Sequence, residues 1–171
     1  MVRHSARIAA CVCVVVAYLG ADSAAAQPSG AFGVGWSLTA ADGSAPGFTV
    51  NASKDLTSGP VAIGPIGDFS LHRDSGITWT AFGGGIRATG YPAESIFMPF
   101  GEFLVGASVL SGFGQNETAL TFIYGGGVHL ALSDKVQLLV QFDLMTATFD
   151  GLGTETGKRT MLGISVPLGV R

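Results

Sequence analysis

Few side chains of this 171-residue sequence have the chemistry of a catalytic or metal site. It contains three histidines, and only His72 and His129 lie beyond the N-terminal segment. Ser133 follows His129 by four residues, so in a strand the two would share a face about 13 Å apart, too far for a hydrogen bond. No nucleophile motif surrounds either residue, and neither histidine has the spacing of zinc ligands. The sequence therefore predicts no catalytic residue, no metal site and no cofactor.

Another group of polar residues stands inside otherwise apolar segments: Arg87, Glu102, His129 and Asp143. Period-two alternation puts Glu102 and Asp143 on the mixed face of their strands, and we place Arg87 and His129 on the same face or at its rim. Isolated buried charges are costly, so enclosed charges must pair. We therefore expect a polar network on the enclosed face, with an Arg87–Glu102 or an Arg87–Asp143 contact. A path for protons or ions is the functional alternative to this structural interpretation.

The first 26 residues have the pattern of a secretory signal peptide. Arg3, His4 and Arg7 form a basic region, the apolar run Ile8 to Leu19 follows, and Ala24-Ala25-Ala26 fits a cleavage site. The apolar run has about a dozen residues, whereas a membrane-spanning helix needs roughly 20. We therefore predict a signal peptide over residues 1–26 and one domain over residues 27–171. An uncleaved membrane anchor is the alternative.

The composition is unusual for a water-soluble domain. Charged residues make up 12% of the chain, against about 25% in ordinary soluble domains, and the mean hydropathy is +0.46. Both cysteines, Cys11 and Cys13, lie in the predicted signal peptide, so no disulfide is expected afterwards. The net charge of −3, with no basic stripe, argues against nucleic-acid binding. No later apolar run could span as a helix, which leaves a soluble barrel or sandwich, or a membrane β-barrel.

Short strand-like segments recur after residue 27, separated by clusters of Gly, Asp, Asn and Ser. The eight predicted strands are Ala31–Thr39, Gly47–Leu56, Pro60–His72, Gly76–Thr89, Phe97–Ser111, Thr118–Leu132, Val136–Phe149 and Arg159–Val170. Residues 150–157 are predicted as a turn. An even number of strands of roughly ten residues is typical of membrane barrels. The predicted fold is an all-β, eight-stranded antiparallel up-and-down transmembrane β-barrel.

Alternation within the predicted strands indicates which face touches lipid. In the seventh strand, Val140 and Phe142 belong to a uniformly apolar face, whereas Gln141 and Asp143 belong to a mixed one. Alternation alone does not orient the faces. A water-facing exterior over eight strands would carry many more charges than this chain has, so we predict that the apolar face points outward.

Aromatic residues near the predicted strand ends are candidates for the girdles that flank the apolar belt of a membrane barrel. They are Trp36, Trp79, Phe97, Tyr124 and Phe149. The alternative is that they are ordinary core residues.

Glycine triplets stand inside two strands, Gly83–Gly85 and Gly125–Gly127. Glycine weakens the sheet of a soluble protein. In a narrow barrel, however, these triplets would permit sharp coiling and leave room for bulky lumen neighbours.

The stretch Phe122–Phe149, FIYGGGVHLALSDKVQLLVQFDLMTATF, has a glycine-rich strand, a short Leu-Ser-Asp-Lys turn and an alternating strand with an inward acid. It resembles the small outer-membrane β-barrel proteins, the OmpA/OmpX and opacity-like group with an outer membrane protein beta-barrel domain. Pro99–Gly106 is similar to their middle strand. The resemblance implies a bacterial outer membrane, with outer-membrane lipid around the barrel and the barrel-insertion machinery as a partner during biogenesis.

The function expected from this resemblance is structural or surface-interacting, with an unidentified surface partner. It excludes an open pore, because eight strands leave no aqueous channel. Two alternatives stay open at this point. One is a soluble periplasmic, lipocalin-like barrel that binds an apolar ligand, and the other is a lipid-modifying barrel enzyme.

Overall fold

The computed structural model describes residues 27–40, 44–93, 95–112, 115–149 and 153–169. The predicted signal peptide lies outside these residues and stays a prediction. Eight strands are present: β1 Gly30–Ala40, β2 Ser44–Lys54, β3 Val61–Asp74, β4 Ile77–Gly90, β5 Phe97–Gly112, β6 Gln115–Ser133, β7 Val136–Phe149 and β8 Gly153–Pro167.

The strands form a closed antiparallel barrel in sequence order, in which β1 also pairs with β8. This confirms the predicted eight-stranded up-and-down barrel. We call the end of the barrel where β1 connects to β2 and β7 connects to β8 the hairpin end. The opposite end, where β1 begins and β8 ends, is the termini end. No helix within the described ranges is long and apolar enough to cross a membrane.

The eighth strand begins earlier than its sequence indicated. The turn predicted for residues 150–157 is wrong from Gly153 onward, because Gly153–Gly157 pairs with β7. Thr156 lies opposite Thr146 and Thr154 opposite Thr148, with hydroxyl oxygens 3.4 and 3.2 Å apart. Cross-strand threonine pairs stabilise a sheet, so this polar segment continues the strand without apolar residues.

The apolar face of β7 points out of the barrel. Phe142 is 59% exposed, whereas Gln141 and Asp143 are 0% and 4% exposed. The other strands follow the same rule, so their apolar side chains form an outer belt and their mixed faces line the lumen. The predicted orientation of the faces is therefore correct.

Packed side chains fill the lumen, in alternating apolar and polar layers. One apolar cluster contains Leu104 and Met145, and a second contains Phe100, Leu139 and Met161. Along β5, Glu102 stands between Phe100 and Leu104, so a charged layer lies between these two clusters. An eight-stranded barrel is just wide enough for such filling.

Glycines on the inner wall make room for the bulky side chains of the lumen, as the sequence predicted. A Cβ on Gly127 would lie 2.9 Å from Cζ of Phe100, and a Cβ on Gly125 would collide with the carboxylate of Asp143. The bulky lumen side chains therefore depend on bare backbone in β6.

The aromatic residues divide between the two faces. Trp36, Phe97 and Tyr124 point outward and are 56%, 48% and 40% exposed, in agreement with an exterior position. The girdle prediction is wrong for Trp79 and Phe149. Trp79 packs against the cluster around Leu104, and Phe149 is buried in a lumen cluster at the hairpin end. Their positions in the two-residue alternation put both side chains inside, which proximity to a strand end does not reveal.

Candidate functional site

Within the described residues the lumen contains three ion pairs, one at Arg87 and two at Arg159. The first joins neighbouring strands. Arg87 on β4 lies directly opposite Glu102 on β5. Its Nε and Nη2 donate to the same carboxylate oxygen, Oε2, at 2.9 and 2.6 Å. The guanidinium also stacks on the ring of Phe100, 4.1 Å from its centroid. The structure thus brings together one of the two pairs that the sequence offered as alternatives.

Arg159 on β8 makes the second set of ion pairs. Its Nη1 and Nη2 donate to the two carboxylate oxygens of Asp68 at 2.6 and 3.1 Å. Its Nε donates to Oδ2 of Asp143 at 2.9 Å, and Nη2 lies 2.8 Å from the same oxygen. The alternative Arg87–Asp143 pair is not formed, because the strand register places Arg159 directly opposite Asp143.

Gln141 connects the ion pair of Arg87 with those of Arg159 into one network. Its amide nitrogen donates to Glu102 Oε1 at 2.8 Å and to Asp143 Oδ2 at 2.9 Å. The side chain of Asn51 donates to the Gln141 oxygen at 3.1 Å. Such cross-links restrain each charged side chain from several sides, and the pairing offsets the cost of burying the charges.

Sequence reasoning missed two of the charged members, Asp68 and Arg159. Asp68 shares the inner face of β3 with Ile66 and Ser70, so alternation in that strand would have found it. Arg159 is the first residue of the predicted eighth strand, and it was not included in the predicted polar network. The earlier start of β8 moves it well inside the wall.

His129 reaches the lumen at the termini end, with a partner other than Ser133. Its Nδ1 lies 2.7 Å from Oγ of Ser165, and that hydroxyl donates to Oε1 of Gln137 at 3.0 Å. Because the hydroxyl hydrogen points at Gln137, Nδ1 of His129 is the donor. The histidine therefore does not act as a base toward this serine.

A second serine–histidine contact is buried nearer the hairpin end. Oγ of Ser37 lies 2.8 Å from Nε2 of His72 and accepts a hydrogen bond from Thr49 at 2.9 Å. Ser37 and His72 are 0% and 1% exposed, so substrate and water have no access to this pair. Among the described contacts no carboxylate orients the other ring nitrogen, as a catalytic triad would require.

A small cavity lies at the termini end, beside the start of β1. Pro28, Ser53, Met98, His129 and Gln137 are among its lining residues, and its volume of about 10 Å³ holds about one water molecule. Within the part of the chain that the structure describes, no group of three or more His, Cys, Asp or Glu side chains could hold a metal ion.

No known protein family and no curated protein matches the sequence. Solved structures do match the fold. Neisserial surface protein A has a TM-score of 0.58 at 13% identity, over 81% of this chain and 96% of that one. Ail, the attachment invasion locus protein of Yersinia pestis, has a TM-score of 0.52 at 17% identity, over 82% and 97%. The outer membrane enzyme PagL has a TM-score of 0.54 at 16% identity, over 80% and 99%.

At these identities the comparison shows the fold. The chain has the fold of small outer-membrane β-barrels, in agreement with the resemblance identified in the sequence. The matched proteins include an attachment protein and an enzyme, so the shared fold leaves the activity open.

Proposed function

We propose that residues 27–171 form a non-enzymatic barrel of a bacterial outer membrane, exported by way of residues 1–26, with a structural or surface-interaction role. Outer-membrane lipid surrounds the barrel, and the barrel-insertion machinery is its partner during biogenesis.

The observation that carries this proposal is the exposed apolar belt. Outward side chains of successive strands are large and apolar, among them Trp36, Phe82, Ile86, Phe142 and Leu162, each more than half exposed. A contiguous apolar surface of this kind is unfavourable in water and favourable in lipid. The soluble, lipocalin-like alternative requires the opposite distribution, with a polar exterior and an apolar interior, and the charged lumen argues against it.

The filled lumen supports the absence of an open pore. Arg87 and Arg159 extend from the walls into a buried, hydrogen-bonded charged layer, and Phe100 and Leu104 stand on either side of Glu102. A continuous water path would have to displace these buried groups. We therefore expect purified protein in planar bilayers to show no steady conductance above that of the empty membrane.

The serine–histidine contacts support a non-enzymatic role. Ser165 donates its hydroxyl hydrogen to Gln137 and not to His129, and Ser37 is buried beside His72 inside the barrel. A lipid-modifying enzyme needs its nucleophile where lipid reaches it, on the outer surface or at its edge. Both described serine–histidine pairs are inside the barrel.

The decisive experiment combines membrane fractionation with unfolding in lipid vesicles. Wild-type protein is expected in the outer-membrane fraction, as a band whose electrophoretic mobility changes on boiling. Phe142→Arg places a cation in the belt and is expected to destabilise the folded barrel by about 2–4 kcal/mol. Thr148→Arg, on the same face of β7 at the hairpin end, is the matched control, with an expected effect of about 0–1 kcal/mol. Release of the wild type by osmotic shock, or a Phe142→Arg barrel as stable as the wild type, would contradict the proposal.

A further inference from the structure

A methionine and a histidine lie side by side on the inner wall at the termini end. Met98 on β5 is directly opposite His129 on β6, and the two side chains are 8% and 3% exposed. Directly opposite residues of an antiparallel pair have Cβ atoms about 4.5–5.5 Å apart. The thioether and the imidazole are therefore neighbours inside the barrel. Histidine spacing along the sequence does not reveal this pair, because its second member is a methionine from another strand.

The hydrogen bonds of His129 leave one ring nitrogen available. Nδ1 donates to Oγ of Ser165, whose own hydrogen goes to Gln137. When the ring is neutral its proton is therefore on Nδ1, and Nε2 has a bare lone pair with no hydrogen-bond partner in the described part of the chain. Metal-binding histidines almost always donate their other ring N–H in this way, which fixes the tautomer and the orientation of the ring.

A cavity of the size of one ion adjoins both side chains. The small cavity at the termini end is lined by Met98 and His129, together with Thr89, Tyr91 and Gln137. Its volume of about 10 Å³ holds about one water molecule. The space beside the thioether and the imidazole thus suits a single ion and is too small for an organic ligand.

The cavity is reached where β4 and β5 separate at the termini end. The ladder between these strands ends at Thr89–Phe100, so Met98 and Pro99 have no partner among the described residues of β4. Pro99 has no backbone N–H with which to extend the ladder. Thr89 and Met98, on the two sides of this separation, both line the cavity. An ion therefore has a route that does not cross the charged network beyond Phe100.

A carboxylate close to the cavity offsets the charge of a cation. The hydroxyl of Tyr91, a lining residue, donates to Oδ2 of Asp55 at 2.6 Å, and Asp55 is 3% exposed. A buried cation is costly unless an opposite charge is near. One carboxylate matches a monovalent ion better than a divalent one.

We propose that Met98 and His129 form a binding site for a soft monovalent metal ion, Cu(I), with Sδ and Nε2 as its ligands. Thioether sulfur selects Cu(I), and imidazole binds copper as well. Within the described residues no three His, Cys, Asp or Glu side chains converge, so the site lacks the larger ligand sets of zinc and calcium. The proposal goes beyond a structural role and requires only that the barrel be folded.

The test is a titration of residues 27–171, refolded in detergent micelles, with Ag(I) in chloride-free buffer. Ag(I) has the ligand preference of Cu(I) and is stable in air. Both cysteines of the chain, Cys11 and Cys13, lie in the predicted signal peptide, so no thiol competes for the ion. Isothermal titration calorimetry is expected to show saturable binding of one ion per barrel, and Zn(II) is expected to show no saturable binding.

Met98→Leu removes the sulfur with little change of volume. It is expected to weaken Ag(I) binding more than about tenfold, since even the residues around metal ligands contribute that much. Met161→Leu is the matched control. Both sulfur atoms accept a side-chain amide hydrogen, Met161 from Asn51 at 4.0 Å and Met98 from Gln137 at 3.9 Å. Met161 has no histidine opposite it in register, so its variant is expected to bind as the wild type does.

Nuclear magnetic resonance locates the ion independently of these variants. Ag(I) is expected to shift the methyl carbon signal of Met98 but not those of Met145 and Met161, and to shift Nε2 of His129 more than Nδ1. Ser165→Ala tests a positioning residue, because it removes the acceptor of Nδ1–H. It is expected to weaken binding about 10–100-fold and to increase the fraction of the Nε2–H tautomer in the ion-free barrel.

Each protein is first checked for a band that changes mobility on boiling, so that only folded barrels are compared. No saturable Ag(I) binding by the folded wild type, equal affinities of Met98→Leu and wild type, or Zn(II) bound as tightly as Ag(I) would overturn the proposal. If Met98→Leu does not fold, the wild-type spectra decide. Signals that shift elsewhere in the barrel and not at Met98 and His129 would overturn the site.

Discussion

At the residue scale, Arg159 is the most connected charged group of the lumen. It holds Asp68 and Asp143 together across the barrel, although β3 and β7 are not neighbours in the sheet. Removal of a buried charge leaves its partners uncompensated, and this is more costly than the loss of the attraction itself. The network therefore holds distant parts of the wall in one arrangement.

Arg159→Met is expected to destabilise the barrel by about 3–5 kcal/mol, because two carboxylates lose their cation. Urea unfolding of the barrel in lipid vesicles, followed by tryptophan fluorescence, measures the change. Lys158→Met removes the neighbouring cation from the outward face and is expected to change the free energy of unfolding by less than about 1 kcal/mol. Similar losses for the two variants would contradict a structural role of the network.

A compensated variant sharpens this test. Arg159→Met combined with Asp68→Asn and Asp143→Asn leaves no unpaired charge at this site, so much of the stability is expected to return. Failure to recover would mean that Arg159 acts through packing rather than through its charge.

At the element scale, alternation made most of the fold predictable. Strand β7 was predicted with its bounds and its outward face, because apolar and mixed residues alternate there without interruption. The same rule, extended two positions at a time, would have placed Trp79 and Phe149 inside. What misled the aromatic prediction was position along the strand, which says nothing about the face.

Elements with weak apolar patterning were less predictable. The first five residues of β8 are Gly, Thr and Glu, a composition that is typical of a turn. They become a strand because β7 continues beside them and offers a pairing edge. Pairing across strands is a tertiary effect that local propensity does not contain. The partners of His129 and His72 were unpredictable for the same reason, since each serine comes from another strand.

The glycine wall of β6 gives a prediction at this scale. Gly127→Leu is expected to prevent folding, because even its Cβ would lie 2.1 Å from the Val140 carbonyl oxygen and 2.9 Å from Phe100. Gly67→Leu is the matched control, since a Cβ there has open space on the outward face. The fraction of heat-modifiable band after refolding in detergent measures both. A folded Gly127→Leu barrel would contradict the packing described for the lumen.

At the scale of the whole molecule, the chain inverts the usual distribution of a soluble protein. Its charged network is enclosed and its large apolar side chains are outside. Closure of the sheet makes this possible, because a barrel without edges satisfies its own backbone hydrogen bonds in lipid. The scarcity of charge in the sequence already indicated this inversion, while the network that fills the centre required the full strand register.

The two tryptophans test this inversion most directly. Trp36 is outside the barrel and Trp79 packs inside it, so Trp79→Phe and Trp36→Phe each leave one reporter. Both variants are refolded into vesicles of phosphatidylcholine brominated on its acyl chains, and fluorescence is compared with unbrominated vesicles. Strong quenching of Trp36 and weak quenching of Trp79 are predicted. Equal quenching of the two, or quenching of Trp36 by aqueous iodide in place of brominated lipid, would contradict a barrel with its apolar face in the membrane.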